Sequence, residues 1–104
     1  MHNNRENSSF RVLATLEAKS ESRQELLEFL ISLVTPARDE QGNISYDLHC
    51  STQNPNEFLL DEVWDTKKDF DRHYDSSKSH DDRERVKGLL LKPLLIKTYV
   101  NIPE

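Results

Sequence analysis

The chain has 104 residues, about a third apolar and a third charged, and carries a net charge of −5. That length suits one domain with a modest core, and the acidic balance, without any Lys/Arg cluster interleaved with aromatics, argues against a nucleic-acid partner. No apolar run nears the roughly 20 residues of a membrane span, and neither GxGxxG, a P-loop nor HExxH occurs, which removes the motif basis for dinucleotide, P-loop and zincin chemistry.

Residues 1–9, MHNNRENSS followed by Phe10, have no hydrophobic h-region and read as a flexible polar tail rather than a signal peptide. Residues 10–104 then form a single domain. FRVLATLEA, residues 10–18, alternates, with Phe10, Val12, Ala14, Leu16 and Ala18 on one face, and reads as a strand. The period changes in SESRQELLEFLISLV, where Leu26, Phe29, Leu30, Leu33 and Val34 make one apolar helical stripe. Ser22 and Glu25 have capping-box spacing, Pro36 should kink or shorten the helix, and Gly42 suits a left-handed C-cap.

NISYDLHC alternates again, placing Ile44, Tyr46, Leu48 and Cys50 together, and STQNPN is a turn leading into EFLLDEVWD. That run sets Phe58, Leu60, Glu62 and Trp64 on one face, so the two segments predict an antiparallel hairpin. Thr66, with Asp69 three residues on, caps a short helix that pairs Phe70 with Tyr74. Ser79 is the expected cap of a third helix carrying Val86, Leu89 and Leu90, which Pro93 stops, and DDRERVK is its solvated face. LLIKTYVNI is a last strand. The order β-α-β-β-α-α-β predicts an α+β, ferredoxin-like antiparallel sheet with helices on one side.

The strands are apolar on both faces: Leu13, Leu59, Val63, Leu95 and Tyr99 oppose the core set. A sheet with one wet face alternates more cleanly. A second copy of the chain is the simplest cover, which predicts a homodimer.

The pieces ESRQELLEFLISLV, GNISYDLH, NPNEFLLDEVW, FDRH and LLKP, in this order, resemble the antibiotic biosynthesis monooxygenase family, from about Phe10 to Ile102. The resemblance implies a dimeric α+β barrel and a cytoplasmic, quinol-type monooxygenase without metal or flavin cofactor. Its substrate would be a quinol or polycyclic phenol, a small aromatic that reduces O2 once deprotonated, in a pocket between sheet and helices. Trp64 matches the family tryptophan closing the third strand, and His73 matches the histidine of the F-D-x-H piece. His80 matches a histidine that in the family stands two residues earlier. Against the actinorhodin-type enzyme, Leu60 replaces an asparagine and Phe70 a tyrosine, so two polar groups are absent. The haem-degrading branch needs an asparagine in the first strand, and none lies between Phe10 and Lys19. The fold also hosts isomerases of small carbonyl compounds and plain small-molecule binding proteins, which is the alternative reading.

The catalytic candidates are His73, Trp64 and Glu62, and the substrate-binding candidates are Tyr46, Phe70, His80 and Leu60. Trp64 reads as core that also edges the pocket. Glu62 points into an apolar layer, where its carboxylate either meets a helix Lys or Arg or holds its proton more tightly. His73 is either a solvated helix residue or a proton acceptor in the pocket. His80 either caps or reaches the pocket mouth, Tyr46 is a wall, and His49 is interfacial or exposed. Four scattered histidines and one cysteine give no metal set. Cys50 reads as a small buried thiol.

Overall fold

In a computed structural model, residues 9–104 are described, so the expected tail, apart from Ser9, and His2 lie outside the described residues. The elements follow the expected order: β1 (Phe10–Glu17), a 3₁₀ turn (Ser20–Ser22), α1 (Arg23–Arg38), β2 (Asn43–Cys50), β3 (Glu57–Trp64), α2 (Lys67–Tyr74), α3 (Ser77–Lys87) and β4 (Leu95–Val100). The strands form one antiparallel sheet in the order β2-β3-β1-β4. This is the ferredoxin-like α+β architecture.

Period-2 alternation sets the two faces of the sheet. Val12, Ala14 and Leu16 on β1 stand opposite Glu62, Leu60 and Phe58 on β3, and all six are buried. Leu26, Phe29, Leu30 and Ala37 of α1 and Val86 of α3 cover that inner face and close the main core. A second cluster of Phe10, Val12, Trp64 and Phe70 seals the end of the sheet beneath α2. No described helix covers the outer face. There Leu13, Leu59 and Val63 are half-buried, while Leu95 and Tyr99 remain about half exposed, at 50% and 46%.

Local details depart from the sequence expectations. Ser22 precedes α1 but accepts no capping bond, because the chain enters through the 3₁₀ turn and Ser22 has ψ of 1°, far from the extended backbone a capping side chain needs. Pro36 does not end α1, which runs two residues further to Arg38; so near the C-terminus its missing N–H removes little of the ladder. Ser76, not Ser79, caps α3, accepting from the Ser79 N–H at 3.1 Å. That helix ends at Lys87, so Leu89 and Leu90 lie beyond it and Pro93 is not its stop. On β2 the register slips between Asn43 and Ser45, which leaves Ile44 unpaired and half exposed rather than inward. Cys50, at the end of the edge strand β2, is exposed and not buried.

One expectation holds closely and a second holds in part. Thr66 caps α2 by accepting the Asp69 N–H at 3.2 Å while its hydroxyl donates to the Asp69 carboxylate at 2.9 Å. Gly42 is not the C-cap of α1, a place that Asp39 takes in right-handed backbone, but with φ of +83° it is left-handed as expected, and a Cβ there would overlap the Asp69 carboxyl group. The turn after α1 is thus locked against the first turn of α2.

Candidate active site

A cavity of about 110 Å³ lies between the sheet and the helices. Its floor is the middle of the sheet, where register sets Glu62 between Val12 of β1 and Tyr46 of β2. Leu60, Phe70 and His73 also line it, and α1 and α3 close the far side with Phe29, Leu33 and Val86. Most of the lining is apolar, so the few polar groups decide what the cavity can do.

Glu62 is 5% exposed, and its partner is not a helix Lys or Arg. The Trp64 indole N–H donates to its Oε1 at 3.0 Å, from two residues along the same strand face. Burial pushes the Glu62 carboxyl up to about 7. The indole hydrogen bond pulls it back, while the charges of Glu40 and Asp61 add to the rise. Tyr46 is shifted upward as well, mainly by burial and then by the charges of Glu62, Glu40 and Asp82, so its hydroxyl keeps its proton.

His73 sits in the last turn of α2, where the Thr66 cap and the Phe70–Tyr74 ring contact, at 5.6 Å, fix the helix against the sheet. Its side chain is 18% exposed, so it is not a solvated surface histidine. The imidazole stacks on the Trp64 indole with centroids 4.8 Å apart, and its Nδ1 pairs with the Glu40 carboxylate at 2.8 Å. Tyr46 meets the same ring edge-on at 6.4 Å. Glu62, Trp64, His73 and Glu40 therefore form one connected group.

Of the sequence-predicted residues, Glu62, His73, Tyr46, Phe70 and Leu60 line the cavity together. Trp64 faces the expected side, but it is 0% exposed and does not line the cavity: α2 and His73 cover it. His80 does not line it either and is exposed on α3, since the Ser76 cap starts that helix earlier and turns His80 outward. His49 is exposed, on the outer side of β2. Glu40 escaped sequence reasoning because it lies 33 residues from His73, in a turn without a motif. Ser79 and Asp82 also line the cavity, and only the placement of α3 reveals them. Among the described residues no group of three or more His, Cys, Asp or Glu is placed to hold a metal ion.

The family model described as antibiotic biosynthesis monooxygenase matches residues 9–85, well over half of the chain. A Bacillus subtilis protein named "Putative monooxygenase YcnE" is 32% identical over 81 residues, covering 78% of this chain and 85% of that protein. The Synechocystis protein sll1783 is 31% identical over 88 residues, covering 85% of this chain; the match spans only 60% of that longer relative. Among solved structures, Rv0793 from Mycobacterium tuberculosis superposes with a TM-score of 0.86 at 29% identity, covering 93% of this chain and 98% of that one.

Proposed function

Because the chain belongs to the antibiotic biosynthesis monooxygenase family, we propose that it is a monooxygenase that oxidises a quinol directly with O2. The observation that carries this reading is a buried carboxylate, Glu62, raised to about 7 and facing an apolar cavity beside His73. A carboxyl group tuned near neutrality is suited to take a phenolic proton inside an apolar site, where the resulting phenolate is a far better electron donor than the phenol. In the net reaction one atom of O2 enters the ring and the other leaves as water, with the quinol supplying the electrons and becoming a hydroxyquinone. No external reductant is required by that balance.

The roles divide by position. Glu62 and His73 touch the bound ring and share the proton work, with Glu40 orienting the imidazole through Nδ1. Trp64, buried beneath them, is a positioning residue that holds the Glu62 carboxylate and backs His73. Tyr46, Phe70 and Leu60 are walls. His80, exposed, has no part in this reading.

A homodimer completes the proposal. Leu13, Leu59, Val63, Leu95 and Tyr99 make an apolar outer face that no described helix covers, and a second sheet is the surface that matches it.

The apolar character of Leu60 and Phe70 inside the cavity favours a second reading, a small-molecule binder without turnover. Oxygen uptake by the purified protein with hydroquinones separates the two. Uptake above buffer that His73→Ala or Glu62→Gln abolishes supports the oxygenase; ligand-induced thermal stabilisation with no uptake supports the binder.

A further inference from the structure

The α3 wall of the cavity that Glu62 lines carries a polar group that the proposed chemistry does not use. Helix α3 and its cap turn Ser76, Lys78, Ser79, Asp82 and Arg83 onto the cavity. Four of the five are engaged within the protein. Ser76 Oγ accepts the Ser79 N–H and donates to the His73 carbonyl at 2.8 Å. Lys78 pairs with Asp82 at 2.8 Å, and Arg83 lies over the Tyr74 ring while donating to the Tyr74 carbonyl at 2.9 Å. Ser79 is the exception. It is 9% exposed, and among the described residues its hydroxyl has no hydrogen-bond partner. Every fully enclosed side-chain nitrogen or oxygen among those residues does have a partner, so the Ser79 oxygen is not sealed off, and Ser79 is one of the residues that line the cavity.

A hydroxyl on a residue that is nine-tenths buried is unfavourable without a partner, unless whatever fills the cavity supplies one. It sits in the first turn of an 11-residue helix, where the dipole and amide groups also favour an oxygen atom nearby. We infer that Ser79 forms a second binding subsite in this cavity, which holds the distal oxygen of a para-dioxygenated ring whose other oxygen lies at Glu62. This rests on the quinol reading above and narrows it to 1,4-dihydroxy substrates.

The hydroxyl chemistry fits such a ligand in both of its redox states. A quinol presents an O–H, which Ser79 accepts, and a quinone presents a carbonyl, to which the same hydroxyl donates. A carboxylate at this position would accept only and would repel the carbonyl product. Ser79 therefore sets specificity without taking part in proton removal.

The test is anaerobic titration calorimetry of the whole protein with hydroquinone and with phenol, which differ by one hydroxyl. The wild type should bind hydroquinone about 10-fold tighter than phenol, the ratio expected for one hydrogen bond to a buried group. Ser79→Ala should bring hydroquinone down to the phenol level and leave phenol unchanged, and Ser79→Thr, which keeps the hydroxyl, should preserve most of the preference. A wild type that binds both equally or neither, or a Ser79→Ala protein of unchanged melting temperature that keeps the full preference, overturns the subsite. Preference for hydroquinone without any oxygen uptake under air would remove the oxygenase reading and leave this one standing. Oxygen uptake with a KM for hydroquinone that Ser79→Ala does not change would do the reverse.

Discussion

Trp64 donates its indole N–H to Glu62, its neighbour two positions back on β3, across 3.0 Å in a fully buried layer of the sheet. The bond holds the carboxylate in place and favours its ionised form, while burial and the charge of Glu40 favour the protonated form. The balance leaves the carboxyl at about 7.

If Glu62 removes the substrate proton, activity requires it ionised. The rate kcat/KM for quinol oxidation should therefore rise with pH through about 7. Glu62→Gln should lower kcat by about 10²- to 10⁴-fold, the range expected for a lost general base. Stability should run the other way. The unfolded chain ionises this group near 4.5 and the folded one near about 7, so wild-type stability falls as pH climbs between those values. At pH 8 Glu62→Gln should be the more stable protein by roughly 2–4 kcal/mol, with little difference at pH 4.5. Urea titrations at the two pH values check this, and equal stability at both would contradict the buried-acid account.

Two substitutions should move the acid limb in opposite directions. Trp64→Phe keeps a ring behind His73 but removes the donor to Glu62, so the limb moves to higher pH and the carboxyl stays protonated longer. Glu40→Gln removes a nearby negative charge, so the limb moves to lower pH, although His73 loses the carboxylate that orients its Nδ1 and kcat falls. Steady-state pH profiles read both. Shifts of the same sign would show that the limb belongs to another group.

These shifts depend on relations the sequence carries unequally. The faces of β1 and β3 are legible because both strands alternate without interruption, and that alone places Phe58, Leu60, Glu62 and Trp64 on the helix side. On β2 the bulge at Ile44 breaks the same rule, and nothing in NISYDLHC marks it. The run DSSKSH offers several serines, and which one caps α3 depends on backbone angles: Ser76 is extended, with ψ of 151°. That choice turns Ser79 inward and His80 outward. The Glu40–His73 pair joins residues 33 apart, and only tertiary packing brings them together. Trp64 falls on the expected face, but its complete burial depends on how closely α2 packs over it.

Gly42 should tolerate no side chain. Its φ of +83° disfavours any L-residue by about 1–2 kcal/mol, and a Cβ would also drive Asp69 away from Thr66 and Arg72. Gly42→Ala should lose about 2–4 kcal/mol in denaturant titrations. Gly88 is the control, at φ of −70° and with nothing within 4 Å of where its Cβ would stand. Gly88→Ala should be neutral or stabilising by up to about 1 kcal/mol. Equal losses at the two positions would contradict the Asp69 contact.

The outer face of the sheet predicts the assembly. Leu13, Leu59 and Val63 are half-buried, and Leu95 and Tyr99 about half exposed, so each has roughly 1 kcal/mol left to gain from losing water. Ten such side chains in a symmetric pair contribute on the order of 10 kcal/mol, against an association penalty of about 4–15 kcal/mol. Ile102, 82% exposed just beyond the edge strand β4, adds further apolar surface and tips the balance towards pairing. Light scattering after size exclusion at micromolar concentration should give about 24 kDa, twice the 12.2 kDa chain. A charge at the centre of the face should dissociate it: Leu59→Lys, opposite Thr15 on β1 and His49 on β2, leaves the inner core intact and should yield a folded monomer. A wild-type species of 12.2 kDa would leave the apolar outer face without an explanation.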